Sequence, residues 1–178
     1  ATLSSSPFYH VGPFIGLGFD QVGGPERESS FDPNMKFSQG DKSLSWKVKP
    51  EWKDGQLYGT VFSAENSSNY LLKEIETTAP VTLPVSLGSD DGIKVFLNGK
   101  EVLANNVGRG AAPDQEKLEL RLKSGKNVLL IKIHNGGGPS GFYFKSGVKE
   151  ARLPSLSLTQ DLPTASYVLE LEASPKTD

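Results

Sequence analysis

The stretch SDDGIKVFLNGKEV, residues 89–102, constrains the fold more than any other part of the chain. The dipeptides Asp91-Gly92 and Asn98-Gly99 both favour a type I′ turn, in which the two central residues have positive φ. Apolar side chains alternate between these dipeptides over residues 93–97, and they alternate again before them over residues 81–87. Strands have a side-chain period of two, so this pattern predicts three antiparallel strands joined by two tight turns.

Short alternating segments separated by turn residues continue along the chain, and no segment of ten residues has the apolar stripe of a helix. Residues 128–133 are nearly all apolar and are predicted to form the most buried strand. Many short strands with a turn every ~10 residues predict an all-β fold, a β-sandwich or jelly roll of two antiparallel sheets. The predicted core comprises Leu83, Val85, Ile93, Val95, Leu97, Leu118, Leu120, Leu129, Ile131, Phe142 and Phe144.

The chain divides into three predicted segments. Residues 1–7 are small and polar and are expected to be a flexible end. Residues 8–148 are expected to form the jelly-roll sandwich. Residues 149–178 have the composition of a linker, with one last strand around Tyr167, Leu169 and Leu171 and then a polar tail. The first residue is Ala1 and no signal peptide follows it, which indicates a processed piece.

Composition argues against several functions. Lys and Arg number 19 against 21 Asp and Glu, a formal charge of −2, so no basic excess is present to bind nucleic acid. No stretch approaches the ~20 apolar residues that cross a bilayer, so no membrane insertion is expected. With no cysteine, disulfides and a thiolate nucleophile are excluded. Two histidines and scattered carboxylates form no catalytic set, so the chain is not expected to be an enzyme.

The segment that runs from SLGSDDGIKVFLNGKEV to HNGGGPSGFYF resembles the galactose-binding-domain-like jelly rolls. The resemblance is densest over residues 87–144, and a looser version through FYHVGPF and PEWKDGQ extends it back to about residue 8. It implies a non-catalytic, carbohydrate-binding accessory module of a larger exported protein, which is secreted, periplasmic or at the cell surface. Its partners would be carbohydrate and neighbouring domains. The alternative is a structural or protein-interaction domain without a sugar ligand.

The SDDG element is also similar to one in PA14-type lectin domains. In the sugar-binding members of that family, two consecutive aspartates hold a calcium ion that in turn binds sugar hydroxyls. The resemblance implies that Asp90 and Asp91 are calcium ligands and contact carbohydrate. The alternative is that Asp-Gly is an ordinary turn and that Asp90 only caps a strand.

The loop after residue 103 is dense in planar hydrogen-bonding groups, which suit sugar hydroxyls because they offer donors and acceptors in fixed geometry. Arg109 is equally well explained by an ion pair with Asp90 or Asp91 that braces the loop. Three loops close strands of the same central region, so we expect their polar residues to meet at one end of the sandwich. The predicted ligand-binding residues there are Asp90, Asp91, Asn105, Asn106, Arg109 and Asn135.

Aromatic residues offer a second kind of sugar contact. Trp52 lies among charged residues in a turn and is expected to be an exposed stacking platform, or else to close one end of the sandwich. Trp46 alternates with apolar residues and is expected in the core. His134 has the same parity as Lys132, so both are expected to face outward.

A second calcium site is expected in the long acidic loop before residue 35. Its oxygen ligands would come from Glu26, Glu28 and Asp32, with Asn34 nearby. Calcium takes six to eight oxygen ligands, and carboxylates are the strongest of these.

Overall fold

The computed structural model describes residues 1–28 and 30–151, and its elements are strands apart from one 3₁₀ helix, η1 (Gly24–Arg27). No helix in these residues is long and apolar enough to cross a membrane. The strands are β1 (Leu3–Ser5), β2 (Phe8–Ile15), β3 (Lys36–Gln39), β4 (Lys42–Ser45), β5 (Lys47–Lys49), β6 (Leu57–Phe62), β7 (Ser67–Thr77), β8 (Val81–Asp90), β9 (Gly92–Leu97), β10 (Lys100–Asn105), β11 (Glu116–Leu122), β12 (Gly125–Asn135) and β13 (Ser140–Lys145).

Two antiparallel sheets form the sandwich and confirm the predicted fold class. The larger sheet has the strand order β10-β9-β12-β7-β2-β5, with β1 paired to β7. The smaller sheet has the order β11-β8-β13-β6, and β3 and β4 form a separate hairpin. Strand β12, which contains the apolar run predicted as most buried, lies between β9 and β7 in the larger sheet.

The space between the sheets is filled by the inner core, to which both sheets contribute alternate side chains. All of the predicted core residues lie here, with Leu118 only partly buried at its edge. The inner core comprises Phe8, Trp52, Phe62, Leu71, Ile75, Leu83, Val85, Leu87, Ile93, Val95, Leu97, Leu120, Leu122, Leu129, Ile131, Ile133, Phe142 and Phe144.

The other face of the larger sheet is also covered, by the hairpin β3–β4 and the long loop that precedes it. The outer core lies beneath this cover and comprises Val11, Phe14, Phe37, Trp46, Tyr70, Leu72 and Leu130. Trp46 is buried as predicted, and it lies between β4, which pairs with β3, and β5, which pairs with β2. The molecule therefore has three layers.

The turn predicted at Asp91-Gly92 is wrong. Strand β8 pairs with β11 and β13 in the smaller sheet, whereas β9 pairs with β10 and β12 in the larger one, so the chain crosses between sheets here. Gly92 does not have a positive φ. The Asn98-Gly99 turn is confirmed, with φ of 51° and 84° and with Lys100 paired to Leu97.

The N-terminal segment expected to be flexible instead contains β1. The backbone N–H of Ser5 donates to the carbonyl of Lys149 at 3.1 Å, and Ser5 is only 4% exposed. Strand β1 is therefore held between β7 and the end of the described chain. The last strand predicted around Leu169 lies outside the described residues.

Candidate functional site

One end of the sandwich collects the polar groups that the sequence singles out. The crossing between β8 and β9 brings Asp91 to this end, where its backbone N–H donates to the carbonyl of His134 at 2.8 Å. Its carboxylate accepts two backbone N–H bonds, from Arg109 at 3.1 Å and from Gly136 at 2.9 Å. Asp91 thus ties together the loops after β10 and β12. We call this end the polar rim; it comprises Ser89, Asp90, Asp91, Asn105, Arg109, Glu116, Asn135 and Gly136.

Arg109 is braced by a carboxylate other than the two proposed from the sequence. Its guanidinium pairs with Glu116 at 2.9 Å and also donates to the carbonyl and the hydroxyl of Ser89, at 3.1 and 3.0 Å. The side-chain amide of Asn105 donates to the same Glu116 oxygen at 2.7 Å. The expected ion pair with Asp90 or Asp91 is replaced by this network, because only the backbone N–H of Arg109 reaches Asp91.

Asn135 lies at the end of β12 and is completely buried. Its side-chain N–H groups donate to the carbonyls of Ala64 and Gly138, at 2.8 and 2.7 Å. These bonds orient the amide and leave its Oδ1 buried without a hydrogen-bond donor. A buried acceptor without a donor costs free energy of folding, and a bound cation or hydrogen-bond donor at this oxygen would remove that cost.

Asp90 shares the rim with Asp91, to which it is joined by a cis peptide bond. Burial, the charge of Asp91 and a hydrogen bond with the Asp91 side chain raise the pKa of Asp90 to about 6. Two carboxylates are therefore held close together. Like charges at this spacing repel, and a cation between them would relieve the repulsion.

Not every predicted ligand residue belongs to this group. Asn106 is exposed on the segment that follows β10, one residue from the rim. Trp52 is only 6% exposed and packs in the inner core against Phe8 and Phe142, with ring centroids 6.5 and 5.2 Å away. The exposed stacking platform is therefore wrong for Trp52, because the charged residues beside it in the sequence turn outward while its indole closes the sandwich.

In the acidic loop, the ammonium of Lys132 occupies the position beside Glu26 that was predicted for calcium. The fully buried ammonium of Lys132 lies 3.0 Å from the Glu26 carboxylate, which also accepts hydrogen bonds from the Tyr70 hydroxyl and from the N–H of Gly23. Lys132 therefore does not face outward, because the loop covers that face of β12.

The other members of the expected calcium set do not join Glu26. Glu28 and Asp32 are exposed, and one Asp32 oxygen caps the N–H of Asn34 at 2.9 Å. Across the residues that the structure describes, no group of three or more His, Cys, Asp or Glu side chains could hold a metal ion. His134 is half-buried on the loop side, with its Nδ1 3.2 Å from the Ser68 hydroxyl.

Sequence reasoning missed two carboxylates that shape the rim. Glu116 begins β11 and has the parity of Leu118 and Leu120, so alternation distinguishes it from the exposed Glu119 and could have indicated that it faces inward. Glu65 accepts the N–H of Gly138 at 2.8 Å from the neighbouring loop. Glu116 reaches the rim because β11 pairs with β8, and Glu65 reaches the loop after β12 because β12 pairs with β7.

Neither a known family profile nor a curated protein matches the sequence. Several solved structures overlap with it at low TM-score. The GH31 α-xylosidase from Xanthomonas citri gives a TM-score of 0.45 at 12% identity over 83% of this chain, which spans only 15% of that enzyme. The PA14 domain of the MpAFP antifreeze protein gives 0.45 at 10% identity over 83% of this chain and 85% of that domain. The PA14 sugar-binding domain from an RTX adhesin gives 0.43 at 12% identity, covering 78% and 88%.

Proposed function

We propose that the chain is a non-catalytic, carbohydrate-binding module whose polar rim holds a calcium ion. The observation that carries the proposal is the fully buried Oδ1 of Asn135, which has no donor and lies one residue before Gly136, itself bonded to Asp91. This oxygen and the carboxylates of Asp90 and Asp91 are three hard oxygen ligands, contributed to the polar rim by the end of β12 and by the crossing from β8 to β9.

These residues fit calcium in kind. Calcium accepts carboxylate, side-chain amide and backbone carbonyl oxygens together, so two carboxylates and an amide oxygen form part of a site. In the flanking glycine-rich loop, the carbonyls of Gly136 and Gly138 already accept hydrogen bonds from Asn66 and Asn135, and each has a second lone pair that could bind a cation. A bound calcium would supply open positions for vicinal sugar hydroxyls, while the side chains of this chain hold and orient it.

The rim does not have the geometry of a glycosidase. Glycoside hydrolysis uses two carboxyl groups about 5–10 Å apart on either side of the scissile bond. Asp90 and Asp91 are consecutive residues of one short crossing, so they lie on one side of any bound sugar. We therefore propose binding without turnover, in an accessory domain that concentrates a larger exported protein on polysaccharide.

The test is calorimetric titration with calcium, followed by a panel of neutral monosaccharides with calcium or with EDTA. The protein is expected to bind calcium, and sugar binding is expected to vanish in EDTA. Asp91→Asn should weaken calcium affinity about tenfold or more, because ligand charge largely sets that affinity.

Asp54→Asn is the matched control. Asp54 also accepts two backbone N–H bonds, from Ser146 at 2.8 Å and Gly147 at 3.0 Å, but it has no neighbouring aspartate. Each variant should lose one such bond, which lowers the free energy of unfolding by about 1 kcal/mol. Only Asp91→Asn should also lose calcium affinity. Calcium binding that is equal in the two variants, or absent from the unsubstituted protein, would leave the alternative of a structural or protein-interaction domain.

A further inference from the structure

We infer that Phe19, anchored by the buried ammonium of Lys132, is a positioning residue for the carboxylates of Asp90 and Asp91. The inference rests on the proposed calcium site and adds to it the support from the outer layer. Neither residue lies on the polar rim. Both belong to the contact between the acidic loop and the larger sheet.

The anchor is a lysine with all of its hydrogen-bond donors directed at one loop. The Nζ of Lys132 lies 2.9 Å from the carbonyl of Phe19, 2.5 Å from the carbonyl of Gln21 and 3.0 Å from the carboxylate of Glu26. An ammonium has three N–H groups, so the three acceptors match it in number. Its side chain is fully buried and that of Glu26 is 7% exposed, so the loop is fixed against β12 at this point.

The hydrogen bond from Lys132 to the carbonyl of Phe19 holds the Phe19 ring against the start of β9. A Cβ atom placed on Gly92 would lie 2.8 Å from Cδ1 of Phe19, so the ring rests directly on the glycine backbone. The ammonium of Lys94 lies 4.9 Å from the ring centroid on the same strand and pairs with Asp20 at 3.3 Å. The ring is therefore confined between Gly92 and a cation–π contact.

Gly92 is the residue that immediately follows the two aspartates. The chain leaves the smaller sheet at Asp90 and enters the larger one at Gly92, so the path of this short crossing decides where both carboxylates point. The hydrogen bond from the N–H of Asp91 to His134 fixes one side of the crossing. Phe19 fixes the other side by packing on Gly92, and removing the ring gives the crossing room to shift.

The experiment compares Phe19→Ala and Lys132→Met with Lys73→Met, each titrated with calcium chloride alone and each melted thermally in EDTA. Lys73 is the matched control: it is a buried lysine of the same sheet, but it faces the inner core and bonds to Ser6 and Glu150. Outer-sphere support typically contributes about 10- to 100-fold to metal affinity. Phe19→Ala and Lys132→Met should therefore weaken calcium binding about tenfold, and Lys73→Met should lower only the melting temperature.

A conservative variant and a calcium-free measurement separate positioning from general stability. Phe19→Leu should retain near-normal affinity, because it still covers Gly92. In the calcium-free protein, the backbone amide resonances of Asp91 and Gly92 should shift in Phe19→Ala and stay unchanged in Lys73→Met. If Lys132→Met does not fold, Phe19→Ala still carries the test because it leaves the ion pair with Glu26 intact.

Two outcomes would overturn the inference. Calcium affinity of Phe19→Ala within twofold of the unsubstituted protein would show that the ring positions nothing. Unchanged Asp91 and Gly92 resonances in Phe19→Ala would show the same without calcium. If the unsubstituted protein binds no calcium, the proposed function fails, and those resonances alone decide whether Phe19 positions the crossing.

Discussion

The two faces of the larger sheet are covered in different ways. One face meets the smaller sheet through the apolar inner core, whose strands satisfy their own backbone groups in the ladder. The other face meets an irregular loop, and there the apolar outer core is interrupted by the Lys132–Glu26 ion pair. A loop has carbonyls with no strand partner, and buried carbonyls need donors from elsewhere. Lys132 supplies these donors, so the buried charge follows from the kind of backbone that covers the sheet.

Lys73 extends this rule to the edge of the inner core. Its ammonium lies 3.3 Å from the carbonyl of Ser6, in the connection between β1 and β2, and 3.3 Å from the carboxylate of Glu150. Glu150 is 25% exposed, whereas Glu26 is 7% exposed. Both lysines therefore serve irregular backbone, and they differ in how completely water is excluded from the paired carboxylate.

The largest expected effect comes from breaking the more buried pair. Lys132→Met should lower the free energy of unfolding by about 3–5 kcal/mol, because it leaves the Glu26 carboxylate buried without its cation. Lys73→Met should lower it by about 1–3 kcal/mol, because the Glu150 carboxylate can still reach water. Urea denaturation at pH 7 measures both values. Equal losses would mean that the exposure of the partner carboxylate does not matter.

The next effect compares two neighbours on β12 that face opposite sides. Ile131 is 2% exposed in the inner core and Leu130 is 7% exposed in the outer core. Ile131→Ala should lower the free energy of unfolding by about 3–4 kcal/mol, and Leu130→Ala by about 2–3 kcal/mol, because a loop collapses into a cavity more readily than a sheet does. Urea denaturation of both variants tests the order, and a larger loss for Leu130→Ala would reverse it.

The smallest expected effect is the pH dependence of the free energy of unfolding that comes from His10, which faces the inner core. His10 stacks on Phe62 and its Nε2 lies 2.7 Å from the Asn69 Oδ1. Burial, with a smaller contribution from Lys49, lowers the pKa of His10 below 6.5, although Asn69 opposes the change. The unfolded chain then takes up a proton first as pH falls, so this stability is present above about pH 6.5 and is lost below it.

The loss through His10 is at most about 1.4 kcal/mol per pH unit, the value for one proton. Asp90, whose pKa is raised to about 6, takes up its proton in the folded state over the same range and gives a slope of opposite sign. The test is therefore the difference between thermal melts of His10→Gln and of the unsubstituted protein from pH 7 to pH 5, which should equal the His10 slope. A slope that is unchanged in His10→Gln would assign the pH dependence to other groups.

Much of the sandwich could be predicted from alternation alone. Residues such as Val85, Val95 and Ile131 have period-two neighbours, and all are buried as expected. The alternation does not show which sheet a strand joins, because that depends on pairing between distant segments. The Asp91-Gly92 dipeptide therefore predicted a hairpin where the chain crosses between sheets.

The candidate site was predicted in part. Asp91, Arg109 and Asn135 meet at one end, because the ends of β8, β10 and β12 lie there. The partner of Arg109 was not foreseeable: the inward parity of Glu116 on β11 indicates burial, but no local pattern shows that the loop after β10 brings Arg109 to it. Lys132 was assigned to solvent because a lysine at an outward position normally indicates water, and the sequence does not reveal that a loop covers it.

The position of β12 also bears on the order in which the molecule can form. Strand β12 joins β9 to β7, and its Lys132 pairs with a glutamate 106 residues earlier in the chain. During synthesis the larger sheet stays in two parts, β9–β10 and β2–β5–β7, until residue 135 has emerged. Until then Glu26 of the acidic loop also lacks the ammonium of Lys132 as its partner. Contacts this distant in sequence fold slowly, on a scale of milliseconds to seconds. The polar rim, which needs the end of the same strand, is therefore among the last parts of the molecule to be assembled.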